Sequence, residues 1–443
     1  MYLLYTLAII GYAIAVAPRL LYQAVRHGKY VGTLSERWGR LPAEVNPDHV
    51  PSIWIHAVSV GEVLATRTLI PAMRERYPGH RLLLSTTTQT GRAVASSVEG
   101  VDGLFYFPLD LRLVVSRVLS QVRPDLVVLV DTELWPNLLA ECARRGVKTM
   151  LVNGRISDRA YPRYLLVRSF FGRVLRNVDS CCVQGEESGR RLVELGASEQ
   201  LVTVTGNLKF DTLPVPESPR NRVPQELLRF FRMTEERVVV MAASTHAGEE
   251  RPVLEAFARV RQRDPEALLL LAPRHPERAG EVASLAAGFG FKTVVRRELP
   301  LDGEPCPVVV VLDTVGELAS LFQIATVVFL GGSLVPSGGH NPLEPAAWSK
   351  PIVFGPYMEN FSEISELFLS SQAARQIESS AELEPVLTEL LRDEVLRDAL
   401  GSAARALLEA NRGATERSLD AMASLLPPVG LDSVGVTTPF EAR

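Results

Sequence analysis

The chain has 443 residues, of which 47% are hydrophobic and 22% are charged. This composition is typical of globular proteins and excludes a disordered, fibrous or disulfide-rich chain. With 47 lysines and arginines against 51 acidic residues, the net charge of -4 gives the chain as a whole no electrostatic attraction to nucleic acid. The length predicts two or three domains, and the even spread of hydrophobic runs favours two large ones.

The first predicted element is an apolar segment. Residues 1–17 carry no charge, and residues 19–40 then hold five lysines or arginines and one acid. Because the positive charge follows the apolar run, the positive-inside rule predicts an uncleaved anchor with the downstream chain in the cytoplasm. A cleaved secretory signal and a soluble core helix are the alternatives. We assign residues 1–18 to the anchor.

After Ile53, short runs rich in valine, isoleucine and leucine alternate with longer amphipathic stretches. This pattern is typical of a parallel sheet covered by helices on both faces. In the first half, we predict strands at 53–58, 81–87, 104–107, 125–131, 148–152, 180–184 and 201–205, with helices such as 62–77 and 135–145. In the second half, we predict strands at 237–243, 267–272, 291–296, 307–312, 326–330 and 351–354, followed by helices near 361–371, 381–391 and 393–411.

The two sets are separated by a segment with three prolines, at 214–219. We therefore predict an α/β protein with two Rossmann-like, doubly wound domains that face a cleft. The predicted limits are 19–213 for the N-terminal domain, 214–224 for the linker, 225–425 for the C-terminal domain and 426–443 for a loosely ordered tail. The cysteines at 142, 181, 182 and 306 lack the spacing of a metal or redox motif, so we expect buried thiols in a reducing compartment.

Ligands of such sheets bind beyond the carboxyl ends of the strands, so polar residues just after strands are the candidate site residues. Glu62 lies in the first turn of the helix after the first strand, where the helix N-terminus would keep its carboxylate deprotonated and able to accept a proton from a hydroxyl. A purely capping role is the alternative. His56, inside the apolar strand, is expected to be a core histidine.

A second acidic group follows the fourth strand. Asp131 and Thr132 suit a helix cap, whereas Glu133 lies beyond the expected cap and places a second carboxylate on the same sheet edge. Lys209 follows the last strand of the first domain and either faces the cleft or is simply solvated.

In the second domain, Arg274 leaves a strand just before a proline suited to a first helical turn, which predicts an anion site. Gly316 follows a later strand and would let a ligand approach the backbone closely, although Thr314 there could be a plain helix cap. The loop that starts at Gly331 holds four glycines, a histidine, an asparagine and an acid before Trp348. Its backbone N–H groups could contact phosphate, and Glu344 could accept a hydrogen bond from a ribose hydroxyl.

Six motifs in order resemble those of the 3-deoxy-D-manno-octulosonic acid (Kdo) transferases of lipopolysaccharide biosynthesis, over about residues 1–425. They begin near Ile55, Thr132, Asn153, Gly206, Pro273 and Gly331, and the last one continues to Pro345. The resemblance implies a GT-B type glycosyltransferase that needs no metal or other cofactor. It implies CMP-Kdo as donor and a lipid A precursor at the cytoplasmic face of the inner membrane as acceptor.

The resemblance also implies roles for single residues. Glu62 would be the general base, and Glu133 and Lys209 would position the donor or stabilise charge in the transition state. The donor-binding residues implied for the CMP group are Pro273, Arg274, Val315, Gly316, Glu317, Asn341, Pro342, Leu343 and Glu344. The basic residues after the anchor would meet an anionic membrane surface, and no nucleic acid partner is expected.

Two other function classes stay open from the residues alone. One is another two-Rossmann nucleotide-sugar enzyme, such as a UDP-sugar transferase or a 2-epimerase. The other is a membrane-tethered nucleotide-binding protein without turnover. The resemblance to Kdo transferases, by contrast, implies an inverting single displacement with one base.

Overall fold

The structure is a computed structural model. It describes residues 2, 5–11, 15, 31–158, 160–212, 223–234, 236–298, 307–314 and 316–427. Residues 214–222 of the predicted linker at 214–224 and residues 428–443 of the predicted tail lie outside the described residues, as does Cys306. Half of the predicted anchor also lies outside them, and its residues 5–11 are helical. Within the described ranges, no helix combines the length and apolar character needed to cross a bilayer.

The described strands are numbered in chain order. They are β1 Ser52–His56, β2 Arg81–Thr86, β3 Gly103–Tyr106, β4 Pro124–Val130, β5 Lys148–Gly154, β6 Ser180–Val183, β7 Val202–Val204, β8 Val239–Thr245, β9 Leu268–Pro273, β10 Thr293–Val295, β11 Val309–Val311, β12 Val327–Leu330, β13 Ile352–Phe354 and β14 Arg375–Gln376. All of the strand pairs are parallel.

The α-helices of the described residues beyond residue 30 alternate with these strands. They are α1 Leu34–Arg37, α2 Val60–Ala65, α3 Leu69–Arg76, α4 Gln89–Ala95, α5 Arg112–Val122, α6 Pro136–Arg145, α7 Tyr161–Leu166, α8 Arg168–Leu175, α9 Glu186–Leu195, α10 Gln225–Phe230, α11 Glu250–Arg263, α12 Ala279–Gly288, α13 Leu318–Leu321, α14 Leu343–Ala347, α15 Ser362–Ser370, α16 Leu383–Arg392, α17 Glu394–Ala410 and α18 Ala414–Leu425.

Among the described strands, two sheets of seven form, and the prediction of two doubly wound parallel sheets is confirmed. The strand orders are β3-β2-β1-β4-β5-β6-β7 and β10-β11-β9-β8-β12-β13-β14. In each sheet the order of the strands reverses at the first strand along the chain, because later strands are added on both of its sides. These switch points, β1 beside β4 and β8 beside β12, are where ligands bind in open α/β sheets.

The central strands of the first sheet bury both of their faces. Trp54, Val127 and Cys181 belong to one hydrophobic core, whereas their sequence neighbours Ile53 and Cys182 belong to the core on the opposite face. The alternation arises because successive side chains of a strand point to opposite faces. The cysteines at 142, 181 and 182 are buried free thiols, as expected.

The structure divides into two units, residues 1–212 with 412–443 and residues 213–411. The prediction carried the C-terminal domain on to residue 425, but α18 belongs to the first unit. The Asp211 carboxylate accepts hydrogen bonds from the Gly413 and Thr415 N–H groups at 2.8 and 2.6 Å. Leu419 and Met422 are buried in the core of the first unit, which explains why the chain returns there.

Two local details also differ from the prediction. The helix predicted at 62–77 is two helices, because the Thr66 hydroxyl donates to the Val63 carbonyl at 2.8 Å and the chain turns there. The short strand β14 was not predicted, since two residues give no hydrophobic pattern.

Candidate active site

In the first unit, acidic side chains gather at the switch point between β1 and β4. Glu62 lies in the first turn of α2, directly after β1. Its carboxylate accepts hydrogen bonds from the Val58 N–H at 2.6 Å and the Ser59 hydroxyl at 2.8 Å. These bonds fix the side chain at the edge of the sheet, so Glu62 has a local structural role as well as an available carboxylate.

The protonation of Glu62 differs from the expectation that the helix N-terminus would hold it fully ionised. Burial and, to a smaller extent, the nearby carboxylates of Asp131 and Glu133 raise its pKa to about 7. The bonds from Val58 and Ser59 act in the opposite direction but are outweighed. A carboxyl group with a pKa near neutrality is well matched to general base catalysis at physiological pH.

Asp131 follows β4 in the left-handed backbone region, with φ 58°. It accepts a hydrogen bond at 2.6 Å from the amide group of Asn153, whose own oxygen accepts from the Leu208 N–H at 2.9 Å. Asn153 therefore ties the ends of β4 and β5 to the turn that carries Lys209. The positive charge of Lys209 lowers the pKa of Asp131, although burial raises it by more.

Glu133 is the third carboxyl group of this cluster. Burial raises its pKa, and repulsion from Asp131 raises it further. Its charge in turn raises the pKa of Tyr164, which places α7 beside the cluster. The structure thus brings together Glu62, Glu133 and Lys209, the three residues predicted from widely separated motifs.

His56 is a core histidine, as expected. Its ring is fully buried and stacks on Phe107 with centroids 3.9 Å apart. Its Nδ1 lies 2.9 Å from the Ser85 hydroxyl, and burial lowers its pKa to about 3. The ring is therefore neutral and takes no part in the carboxylate cluster.

In the second unit, Arg274 lies just past the end of β9 and is exposed. Its charge lowers the pKa of both His246 and His340, which places the guanidinium beside the β8 and β12 switch point. Pro273, the last residue of β9, is buried. Of this predicted pair, only Arg274 offers a side chain to a ligand.

The turn at 314–317 is only partly described, because Val315 lies outside the described residues. Gly316 has φ 95° and open space where a side chain would start, consistent with close approach of a ligand. The Glu317 carboxylate accepts hydrogen bonds from Arg296 at 2.8 Å and from the Thr314 hydroxyl at 2.6 Å. Glu317 is therefore part of a local ion pair, which its sequence motif did not reveal.

The segment Asn341 to Glu344 enters the short helix α14. The Asn341 side chain accepts a hydrogen bond from the Leu343 N–H at 3.2 Å and also contacts Glu344. Burial raises the pKa of Glu344. Pro342 and Leu343 are buried and hold the helix in place, so Asn341 and Glu344 are the members of this segment with polar groups for a ligand.

The glycine-rich loop after β12 does not offer its first amides to phosphate, contrary to the expectation. The buried Glu249 carboxylate accepts hydrogen bonds from the N–H groups of Gly332, Ser333 and Leu334, at 2.7, 3.1 and 2.9 Å. It also accepts from the His246 N–H at 2.8 Å. An internal carboxylate thus occupies the position that the sequence suggested for an anion.

Three histidines near this loop were not predicted as site residues. They are His246 after β8, His275 after β9 and His340 in the loop after β12. Polar residues just after the other strands are candidate site residues by their sequence position. The same rule applied to β8 would have identified His246. No group of three or more histidine, cysteine or acidic residues in the described ranges has the arrangement of a metal site.

Comparison with known proteins shows which family the chain resembles. Residues 32–212 match the family model described as 3-deoxy-D-manno-octulosonic-acid transferase (kdotransferase). The chain is 34% identical over 405 residues to the 3-deoxy-D-manno-octulosonic acid transferase of Haemophilus influenzae, covering 90% of this chain and 92% of that protein. It is 33% identical over 439 residues to the enzyme of the same name from Bordetella pertussis, covering 94% and 98%.

A solved structure of low identity has the same fold. The UDP-GlcNAc 2-epimerase from Neisseria meningitidis, bound to UDP-GlcNAc, aligns with a TM-score of 0.58 at 11% identity, over 84% of this chain and all of that one. At that identity the similarity establishes the fold alone.

Proposed function

The chain belongs to the Kdo transferase family of glycosyltransferases, and from this premise we propose that it transfers Kdo from CMP-Kdo to a lipid A precursor and releases CMP. The observation that carries the proposal is the carboxylate cluster of Glu62, Asp131 and Glu133 in a chain of this family. A protein that only bound nucleotide would have no use for a base with a pKa near 7 in its other unit.

The proposed reaction is a single displacement. Glu62 takes the proton of the acceptor hydroxyl as its oxygen attacks the anomeric carbon of Kdo. The bond from that carbon to the phosphate oxygen breaks, and its electron pair leaves with CMP. One base and one displacement invert the configuration of the anomeric carbon.

The neighbouring charges suit the other groups that react. The transition state of glycosyl transfer develops positive charge on the sugar ring, which the carboxylates of Asp131 and Glu133 would stabilise. Kdo itself carries a carboxylate, for which the Lys209 ammonium group is a matching partner. Asn153, which holds the strand ends in place, would keep these groups in register.

The CMP group is proposed to bind in the second unit. Arg274 would pair with the phosphate, and Glu344 and Asn341 would accept hydrogen bonds from the ribose or base. The position of these residues past the ends of β9 and β12 supports this assignment, since nucleotides bind at that edge of doubly wound sheets.

We also propose that the protein is held at the cytoplasmic face of the inner membrane. The charge pattern of residues 1–40 supports this location. In the first unit, Leu113 and Leu166 are 83% and 86% exposed and lie beside the exposed arginines at 112, 163 and 168. Apolar side chains flanked by basic ones suit an anionic lipid surface. Recovery of the full chain in the soluble fraction of cells at low salt would contradict this location.

A transfer assay tests the function. Detergent-solubilised full chain is incubated with a tetra-acylated lipid A precursor and CMP-Kdo generated in place, and the product is analysed by mass spectrometry and NMR. We expect mass increments of whole Kdo units and an inverted anomeric configuration. A product of retained configuration would exclude the single displacement, and would direct attention to Glu133 as a nucleophile.

A further inference from the structure

Three imidazoles meet at the switch point of the second sheet. The Nε2 atoms of His246 and His340 lie 3.1 Å apart, and their rings are nearly parallel, with centroids 5.3 Å apart and an interplanar angle of 19°. The His275 ring meets the His246 ring edge-on, with centroids 5.8 Å apart. Arg274 lies close enough to affect the pKa of His246 and His340.

Contacts on two sides hold His246 and His340 in position. Glu249 accepts hydrogen bonds from the His246 backbone and from the start of the loop that carries His340. Gly332, with φ 66°, lies against both rings, and a side chain there would begin 3.1 to 3.2 Å from their atoms. Glycine is therefore required where the two rings approach each other.

A contact between two Nε2 atoms at 3.1 Å holds one hydrogen. One ring donates it and the other accepts, since two protonated nitrogens facing each other would repel. Burial, followed by the charges of Arg274 and His275, lowers the pKa of both rings, and that of His340 falls to about 4. The pair is therefore neutral at pH 7 when no anion is bound.

The acidic groups around the pair are already engaged. Glu249 and Glu250 raise the pKa of His246, but by less than burial lowers it. The Glu249 carboxylate serves four backbone N–H groups, and Glu250 pairs with Arg278 at 2.7 Å and accepts from the Thr245 hydroxyl. Glu277 lies 3.6 Å from the outer ring, His275. A bound phosphate would add negative charge that none of these groups supplies.

Resting on the proposed function, we infer that His246 and His340 form a proton-coupled phosphate subsite, a neutral pair that takes up one proton when the phosphate of CMP binds. With the extra proton, each ring has an Nε2–H to donate, and the rings turn these donors to phosphate oxygens beside Arg274. The phosphate gains a second negative charge when the bond to the anomeric carbon breaks and its electron pair passes to oxygen. The protonated pair offsets that charge and so stabilises the leaving group.

Calorimetric titration of the full chain with CMP at pH 7.5 tests the inference. The titration is repeated in buffers of different ionisation enthalpy, and the dependence of the binding enthalpy on the buffer gives the number of protons bound. At this pH the phosphate of free CMP is mostly doubly charged, so uptake by CMP itself is small. We expect uptake of about one proton per CMP and none for cytidine, which lacks the phosphate.

Matched variants locate the proton. His340→Gln and His246→Gln should each lose the uptake and weaken CMP binding about tenfold, the loss of one charge-assisted hydrogen bond. His275→Gln, the same change in the ring outside the pair, should keep the uptake. Loss of uptake in His275→Gln alone would overturn the assignment.

The wild-type result is decisive even where a variant fails to fold. CMP binding without proton uptake would overturn the subsite and leave the proposed donor in place. Absence of CMP binding in every buffer would overturn the proposed function and the subsite with it.

Discussion

At the scale of single residues, Glu62 has the capping role and, in the proposed reaction, the role of base, which its sequence position left as alternatives. Its carboxylate closes the β1–α2 turn through Val58 and Ser59, and burial near Asp131 and Glu133 raises its pKa to about 7. The capping position was readable from the sequence. The raised pKa was not, because it depends mainly on burial in the folded chain and less on carboxylates that follow a strand some 70 residues later.

The pH dependence of transfer follows from this pKa. Glu62 must be deprotonated to act as a base, so kcat/KM should fall about tenfold per pH unit below about pH 7. Initial rates between pH 5.5 and 8.5 give the profile. Glu62→Gln should retain only a small residual rate, without this acidic limb. A wild-type profile that is flat from pH 6 to 8 would contradict the role of Glu62 as the titrating base.

The same pKa predicts a change in stability. The folded pKa lies above the usual value of 4.5, so ionisation of Glu62 disfavours the folded state, progressively as the pH rises from about 4.5 to about 7. Glu62→Gln removes the charge and should raise Tm at pH 8 by about 2–4 °C, the shift that about 1 kcal/mol produces in a unit of this size. At pH 5 the two proteins should differ less.

Thermal unfolding at both pH values checks this prediction. Glu75→Gln, an exposed position on the next helix, is the matched control and should leave Tm nearly unchanged. If Glu62→Gln were less stable than the wild type at pH 8, the lost bonds to Val58 and Ser59 would outweigh the relieved charge.

At the scale of elements, the strands were predictable because parallel strands buried on both faces are continuous apolar runs. The strands predicted to start at residues 53, 125 and 326 begin within one residue of the observed starts of β1, β4 and β12. Interactions between distant elements were not predictable. The residues around Glu249 give no sign that its carboxylate accepts hydrogen bonds from the glycine-rich loop after β12. The residues of α18 likewise give no sign that this helix packs in the first unit.

The Glu249 contact predicts that the loop depends on α11. Glu249→Gln replaces a buried carboxylate by an amide whose NH₂ group faces backbone N–H donors. We expect a loss of about 2–4 kcal/mol of unfolding free energy, because charged, buried hydrogen bonds are lost. CMP binding should weaken as well, since His340 lies on the same loop.

Denaturant unfolding and CMP titration of the variant measure both effects. Glu255→Gln, on the exposed face of α11, is the matched control and should match the wild type in both measurements. Wild-type stability of Glu249→Gln would show that the loop is held by other contacts.

At the scale of the whole molecule, the two units carry different chemistry at equivalent places. The switch point of the first sheet holds carboxyl groups, whereas that of the second holds His246, His340 and Arg274. The division matches a transferase in which one unit activates the acceptor and the other holds a phosphate. It does not match a nucleotide-binding protein that has no reaction to perform.

Nucleotide preference tests the donor at this scale. A ligand that binds only the folded state raises its stability, by about 2.7 kcal/mol at a concentration of 100 Kd. CMP should therefore raise Tm, and UDP at the same concentration should raise it by clearly less. A larger shift with UDP would favour the UDP-sugar enzymes that share the fold.

The most direct test of the central claim compares the wild type with Glu62→Gln in the transfer of Kdo from CMP-Kdo to a lipid A precursor, with CMP binding measured on both. We predict whole Kdo increments in the mass of the acceptor for the wild type, a rate reduced about 100- to 10,000-fold for Glu62→Gln, and similar CMP affinity for the two. Transfer at the wild-type rate by Glu62→Gln, or no transfer by a wild type that binds CMP, would contradict it.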